Sequence, residues 1–379
     1  MANVLTDLAS DIFVAAEVVG RELTGASSSV TINANGSERV GLGGVVRSAF
    51  TRDAVAVNVV PSMTIPEGTD QTVDNKTATI TKSRAVQIPW AGEDVQNVNN
   101  GAGFSTIYGS QIAQAMRTLS NEVEVDLCTE IYQNASRAVG TAATTPFASN
   151  FDLVAESRQI LVDNGCPVDQ ITMVMNTLAG TKLRNLAQLQ KANESNSDAL
   201  LRQGVLLDLQ GIGLKESAQI QSHTKGTGTS YTSDTAGYAI GATEITLITG
   251  SGTVVAGDVV TFAGDANKYV VASGAPGGLT LAAPGLRAAL PASAVAMTVG
   301  ASYTGNIVFR RSAVELIMRP PALPQGGDVA DDSMIVQDPS SGLVFEIRSY
   351  KGYKKAMLEV SLAWGVKAWE PKHIAGILG

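Results

Sequence analysis

The stretch Ala78-Thr79-Ile80-Thr81-Lys82-Ser83-Arg84-Ala85-Val86-Gln87-Ile88-Pro89-Trp90 runs through Ala91-Gly92-Glu93-Asp94 and an Asn/Gly hinge. It continues into Gln111-Ile112-Ala113-Gln114-Ala115-Met116-Arg117-Thr118-Leu119 and Glu122-Val123-Glu124-Val125-Asp126-Leu127. The first half reads as an extended run. The second is a long helix from near Ser105 to near Arg137, with Gly140 as its stop. Ile112, Met116, Leu119, Val123, Leu127 and Ile131 form its apolar stripe. At 1.5 Å per residue such a helix is about 50 Å long, enough to cross a whole domain. Glu122, Asp126 and Glu130 lie four apart on another face. Like charges at that spacing mildly destabilise a helix, so the ridge is either a solvated acidic face or a surface that basic groups of a partner meet.

Upstream, residues 37–90 contain extended segments at 45–50, 55–60 and 77–88. Between them, Pro61-Ser62-Met63-Thr64-Ile65-Pro66-Glu67-Gly68-Thr69-Asp70 is turn-rich and weakly apolar. A long two-stranded excursion with little to bury needs another surface to lie on; the bland reading is an ordinary hairpin at the edge of a local sheet. Residues 4–23 read as a helix, with Leu5, Leu8, Ile12 and Val19 at helical spacing. It either reaches a neighbouring subunit as an arm or packs on its own domain.

Downstream the pattern becomes α+β. A helix is expected at 153–162, closed by Asn164-Gly165, then a buried strand at 171–175. A helix from 177 to 186 follows, capped by Thr177, and then a strand at 212–220. From 224 the character changes: between 236 and 309 the only charged residues are Glu244, Asp258, Asp265, Lys268 and Arg287. Short strands at 245–248, 259–262, 269–271 and 279–281 alternate with Gly/Pro/Asp turns, the signature of a small barrel or sandwich. Helix character is expected again at 311–318. The C-terminal region is β: Leu343, Phe345 and Ile347 alternate with Val344, Glu346 and Arg348. Ala356, Leu358, Val360, Leu362 and Trp364 share one face.

Composition narrows the function. Of 379 residues, 44% are hydrophobic but only 16% are charged, against about 25% in average soluble chains. Interface cores are depleted in charge, so this poverty points to surface hidden against other subunits. A net charge of −8 argues against direct nucleic-acid binding, which relies on Lys and Arg neutralising phosphates. It is compatible with a container for nucleic acid. Two cysteines, Cys128 and Cys166, make no disulfide framework, so a reducing cytoplasm is expected. The opening residues lack a signal-peptide pattern, no apolar run approaches about 20 residues, and the glycosylation-like matches at Asn35, Asn75, Asn134 and Asn193 are read as chance.

No catalytic, cofactor-binding or metal-binding set emerges. His223 and His373 lack ligand-spaced companions and read as incidental surface or hinge residues. Gly41-Leu42-Gly43-Gly44 and Gly226-Thr227-Gly228-Thr229 lack the setting of a phosphate cradle, and Asp331-Asp332 lacks the spacing of a Ca²⁺ loop. Lys351, Lys354 and Lys355 with Tyr350 and Tyr353 read as a solvated hairpin turn or as a contact for DNA or an acidic partner.

The order of parts in 78–127, with Trp364-Gly365-Val366-Lys367 and the wording Ala256-Gly257-Asp258-Val259-Val260-Thr261-Phe262, resembles the coat proteins of short-tailed phages related to phage P-twenty-two. The resemblance implies an α+β, HK-ninety-seven-type capsid fold. Its parts would be an N-terminal arm (1–40), an extended β loop (41–90) and a peripheral domain with a spine helix (91–150). An apical α+β domain (151–223 and 305–341), an inserted β-barrel-like domain (224–304) and C-terminal strands returning to the peripheral domain (342–379) would complete it. It further implies a non-enzymatic major capsid protein, assembling in the bacterial host cytoplasm into pentamers and hexamers of an icosahedral virion shell. That shell would enclose double-stranded DNA without sequence-specific binding or any membrane. Partners would be further copies of itself, a scaffolding protein separate from the chain and a portal protein. A cellular nanocompartment shell of the same fold, and a β-rich enzyme, are the alternatives. Candidate contacts between subunits are Glu67, Asp70, Lys76, Lys82, Arg84, Glu93, Asp94, Glu122, Asp126 and Glu130.

Overall fold

A computed structural model describes residues 25–50, 56–65, 74–99, 104–190, 208–275, 277–338 and 342–379. The helix expected at 4–23 and the candidates Glu67 and Asp70 lie outside the described residues. After a 3-10 turn at Ser27–Ser29 come strands β1 (Thr31–Ala34), β2 (Val45–Phe50), β3 (Asp74–Thr79) and β4 (Lys82–Ala91), then helices α1 (Gly92–Asn99) and α2 (Phe104–Gln133). The extended run expected at 77–88 is broken at Ile80–Thr81: β3 pairs back with β2, whereas β4 joins another sheet. Helix α2 is the expected spine. All six stripe residues are at most 1% exposed, and this burial, more than helix propensity, fixes the helix in place. It stops at Gln133, not Arg137. Arg137–Gly140 is instead β5, in a pairing with the C-terminal strand that satisfies its backbone.

The next elements are α3 (Asp152–Asp163), β6 (Ile171–Met175), α4 (Thr177–Arg184), α5 (Ala187–Gln190), β7 (Ile212–Glu216) and β8 (Ser222–His223). Asn176, not Thr177, caps α4: its side chain accepts the Ala179 N–H, a role in which Asn outranks Thr. Strand β7 is shorter than the expected 212–220.

Six strands follow: β9 (Tyr231–Ser233), β10 (Glu244–Ile248), β11 (Val259–Phe262), β12 (Lys268–Ala275), β13 (Gly278–Leu281) and β14 (Ala296–Val299). They pair in the order β11-β14-β9-β10-β13-β12, and β11 also pairs with β12, so the ring closes. Ile245 and Leu247 of β10 point inward while Glu244, Thr246 and Ile248 face out. Val260, Phe262, Tyr269, Leu279 and Leu286 complete a separate core. The few charges and frequent turns of this region thus fold as a small barrel.

The chain returns through β15 (Tyr303–Arg310), β16 (Val314–Arg319), β17 (Ala330–Gln337), β18 (Val344–Gly352), β19 (Lys355–Ala368) and β20 (Ile374–Leu378). The helix expected at 311–318 is a correction: only Arg311–Ala313 form a 3-10 turn, and Val314–Arg319 is a strand. Every residue of β16 is buried, between β1 and β19. A strand buried on both faces shows no period-2 alternation, and Val314-Glu315-Leu316-Ile317-Met318, with its buried Glu315, reads equally well as a helix.

Among the described residues, β19 centres one sheet, flanked by β4 on one edge and by β18 and β16 on the other, with β17 beyond β18 and β1 beyond β16. Its inner face packs Leu358, Val360, Leu362 and Trp364 into one core with the α2 stripe. The other sheet runs β7-β6-β15-β20-β5 and continues through β12 into the barrel, with α3 and α4 residues in its core. Strands β16 and β17 lie in the first sheet and β20 in the second, so segments 305–341 and 342–379 each contribute to both.

Candidate assembly surface

The extended loop is built on the β2–β3 hairpin, in register from Val45↔Thr79 to Phe50↔Asp74. Its base is tied to the body by backbone bonds Gly43 N–H to Ile80 O (3.0 Å), Ile80 N–H to Gly44 O (2.9 Å) and Thr81 N–H to Trp364 O (3.0 Å). Here the hairpin crosses β19 so closely that a Cβ at Gly365 would collide with the Thr79 carbonyl. This gives Trp364-Gly365 a packing reason. Past the hairpin, 56–65 form no strand and bury nothing: Val59 is 96% exposed, Met63 106% and Ile65 93%. Soluble proteins seldom leave such an apolar run uncovered.

At the base of this loop, the structure gives the acidic ridge of α2 basic partners from its own chain. Lys82 of β4 bonds Asp126 (2.7 Å), which also accepts the Trp364 indole N–H (2.9 Å), and the Lys82 ammonium sits 5.9 Å from that ring centroid. Arg84 faces Glu122 at 3.5 Å. Glu130 accepts the Ala368 N–H (3.3 Å) and lies 4.0 Å from Lys367. Lys76 of β3 lies over the Trp369 ring at 5.7 Å. These contacts join loop base, spine helix and the segment of β19 and Trp369 within one subunit. Both partners of the Arg84–Glu122 pair are over a third exposed, so Arg84→Ala is expected to lower stability by under about 1 kcal/mol in thermal unfolding.

Glu93 and Asp94 stand exposed in the first turn of α1, where negative charge suits the helix dipole. Glu93 lines a cleft of about 720 Å³ whose other wall is the β18–β19 turn, with Lys351, Tyr353, Lys354 and Lys355, and whose floor includes Trp90 and Ala356. Lys351 is held by Asp331 at 2.5 Å, so Asp331 is an ion-pair partner on β17 and not simply a solvated loop residue.

Both histidines are corrections. His223 is buried; its Nε2 is 2.9 Å from a carboxylate oxygen of Asp258, itself wholly buried. Asp258 also accepts the N–H groups of Gly226 (3.0 Å) and Val255 (2.9 Å). The His223 ring packs against Tyr132 of the spine helix and Tyr303 of β15, and the Tyr303 hydroxyl donates to the Gly257 carbonyl. A Cβ on Gly226 would strike the Thr253 carbonyl and the Asp258 carboxylate. This is the joint where the barrel meets the body: β8 and β15, the strands leaving for it and returning from it, pair at His223↔Tyr303. His373 is likewise buried, with Glu370 at 2.5 Å. The only sequence signal for the joint was Asp258, one of few charges in an otherwise neutral module.

Among the described residues no group of His, Cys, Asp and Glu could hold a metal ion, and no helix is long and apolar enough to cross a membrane. Burial pushes the Cys166 thiol up to about 11 and that of Cys128 well above its usual value; neither is a reactive thiolate at neutral pH.

The family model of the P22 coat protein, gene protein 5, matches residues 62–262, from the extended loop through the spine helix to the end of β11. The chain belongs to the P22 coat protein family. It is a phage coat protein, a structural subunit of a capsid. Among solved structures, the capsid of cyanophage P-SCSP1u shares 11% identity, covering 92% of this chain and 86% of that chain at a TM-score of 0.50. A solved structure from Mycobacterium phage Che8 shares 14%, covering 88% and 84% at 0.47. A virus-like particle from Pyrococcus furiosus shares 9%, covering 98% and 99% at 0.44. At such identities the likeness concerns the fold alone. No curated protein sequence matches the chain.

Proposed function

We propose that this coat protein forms pentamers and hexamers that close into an icosahedral shell around double-stranded DNA. In this reading the subunit has the HK-ninety-seven-type fold, with the barrel of 224–304 as an inserted domain, and assembles with a separate scaffolding protein and a portal in the host cytoplasm. The observation that carries it is the exposed apolar segment 56–65, held out on a hairpin whose base is tied down by backbone bonds and ion pairs. Burying one such Val, Met or Ile side chain contributes about 1.5–3 kcal/mol, so one loop laid on a neighbour supplies a large share of an interface. The low charge of the chain suits the same use. The exposed Glu93 and Asp94, together with Glu67 and Asp70 in the loop, are the proposed polar contacts around it. Lys82, Arg84, Glu122, Asp126 and Glu130 set the loop's take-off angle from within the subunit.

The test is expression of the chain with its genomic neighbours, followed by negative-stain microscopy and nucleic-acid assay of the particles. Closed shells of uniform size that fill with DNA are expected. A chain that stays monomeric with every neighbour overturns the reading.

A further inference from the structure

The cleft between α1 and the β18–β19 turn has an aromatic floor and a basic rim. Trp90 is fixed there by its indole N–H, which donates to Gln111 of the spine helix at 2.9 Å, and by edge-on packing against Tyr108. Val95 and Ala356 are half-buried beside it, and Tyr353 on the rim is 87% exposed. The rim is anchored to α1, because the Gly92 N–H bonds the Lys354 carbonyl at 3.1 Å. The Lys354 ammonium lies 5.5 Å from the Tyr353 ring centroid. Asp331 answers Lys351, but among the described residues no carboxylate lies within ion-pair distance of Lys354 or Lys355. Two unmatched cations therefore face Glu93 alone across an apolar trough.

Such a trough suits an acidic helix with an apolar stripe. Residues 1–24, outside the described residues, have that composition. Leu5, Leu8, Ile12 and Val19 recur at helical spacing, and Asp7 and Asp11 fall one turn apart beside the stripe. Up to residue 19 the acidic residues are Asp7, Asp11 and Glu17, with no Lys or Arg. The reach also fits. Glu124 of the spine helix pins the start of the described chain by accepting the Ala26 N–H at 2.7 Å and the Ser27 N–H at 2.8 Å. Gln111, under Trp90, lies about 20 Å from Glu124 along the same helix at its rise per residue. A helix read back from Thr24 carries Asp11 about 20 Å and Asp7 about 26 Å away by the same rise.

We propose that residues 4–23 dock into this cleft of their own subunit. The apolar stripe lies on Trp90, Val95 and Ala356, and the Asp7–Asp11 pair meets Lys354 and Lys355. Tethering favours the same subunit over a second copy, because a short linker holds the segment near its cleft at about millimolar effective concentration. The docked segment covers the cleft in the free subunit and restrains both from engaging a neighbour. The inference concerns the unassembled chain and does not depend on the shell reading.

Hydrogen exchange of the purified full-length chain, kept unassembled, tests this through peptides within 4–23. Wild type is expected to protect them, and to the same degree on dilution of the protein. Lys354→Glu with Lys355→Glu reverses the rim and is expected to cut that protection by about tenfold. Asp7→Lys with Asp11→Lys should cut it equally. Combining the two pairs exchanges the signs and should recover most of the protection. Lys354 and Lys355 are exposed, so the rim variant should melt as wild type does. A segment unprotected in wild type, protection unmoved by rim reversal, or no recovery in the combined variant overturns the docking. Protection lost on dilution also overturns it, by placing the segment on a second copy.

Discussion

Replacing Asp258 with Ala is expected to detach the barrel from the body while the rest of the subunit stays folded. The carboxylate has no solvent exposure and serves three donors from three places: His223, the Gly226 N–H and the Val255 N–H. Without it the His223 ring and the Gly226 N–H are left buried and unpartnered and the part-buried Val255 N–H loses its acceptor, at about 1–3 kcal/mol apiece, so a total loss of about 3–5 kcal/mol is expected. Asp258→Asn keeps one acceptor oxygen and is expected to lose roughly half as much. The chain offers a clean readout. Its three tryptophans, Trp90, Trp364 and Trp369, all lie outside the barrel. Tryptophan fluorescence should therefore keep its melting midpoint in the Ala variant, while protease cleavage within 224–304 accelerates by at least tenfold. Equal destabilisation of both signals would mean that barrel and body unfold as one unit, against a discrete joint.

The legible parts of this fold were those with a single buried face. The α2 stripe keeps its period for six residues because one side meets the β19 sheet, and β10 alternates because one side fills the barrel. Two strands buried on both faces were not read as strands: β16 reads VELIMR and β20 reads IAGIL, with no alternation to betray them, whereas the apolar run of β6 at 171–175 stood out between two helices. Strand β5, just past the expected end of the spine helix near Arg137, went unread because its four residues pair with β20, more than two hundred positions away. Propensity carries no record of a partner that distant.

The surface divided in the same way. The acidic spacing of Glu122, Asp126 and Glu130 was plain, but the donors that answer it, Lys82, Arg84 and Lys367, come from two strands whose register only the tertiary fold sets. His223 appeared incidental because its companion is 35 residues ahead, across a barrel. Spacing rules detect sites built within one element. A joint between modules leaves only scattered, individually unremarkable residues.

Substituting Asp for Val59, Met63 and Ile65 together is expected to abolish assembly without unfolding the subunit. Each side chain is over nine-tenths exposed, so three new charges meet only water in the free chain and should alter its melting by little, within about 0.5 kcal/mol per site. In an interface the same three positions would each lose about 1.5–3 kcal/mol of apolar burial and add an unpaired buried carboxylate, costing several kcal/mol more. Spread over every subunit of a closed shell, that loss shifts the equilibrium entirely toward free chains. Sedimentation velocity of the triple variant, made alongside wild type with the same partner proteins, should show subunits or small oligomers where wild type shows particles. The single substitution Arg84→Ala, at the loop base, should leave particles largely intact, because its pair with Glu122 is half-exposed and the backbone bonds at Gly43 and Ile80 remain. Normal shells from the triple variant would instead mean that the loop contributes no binding energy, and the apolar run would need a different partner.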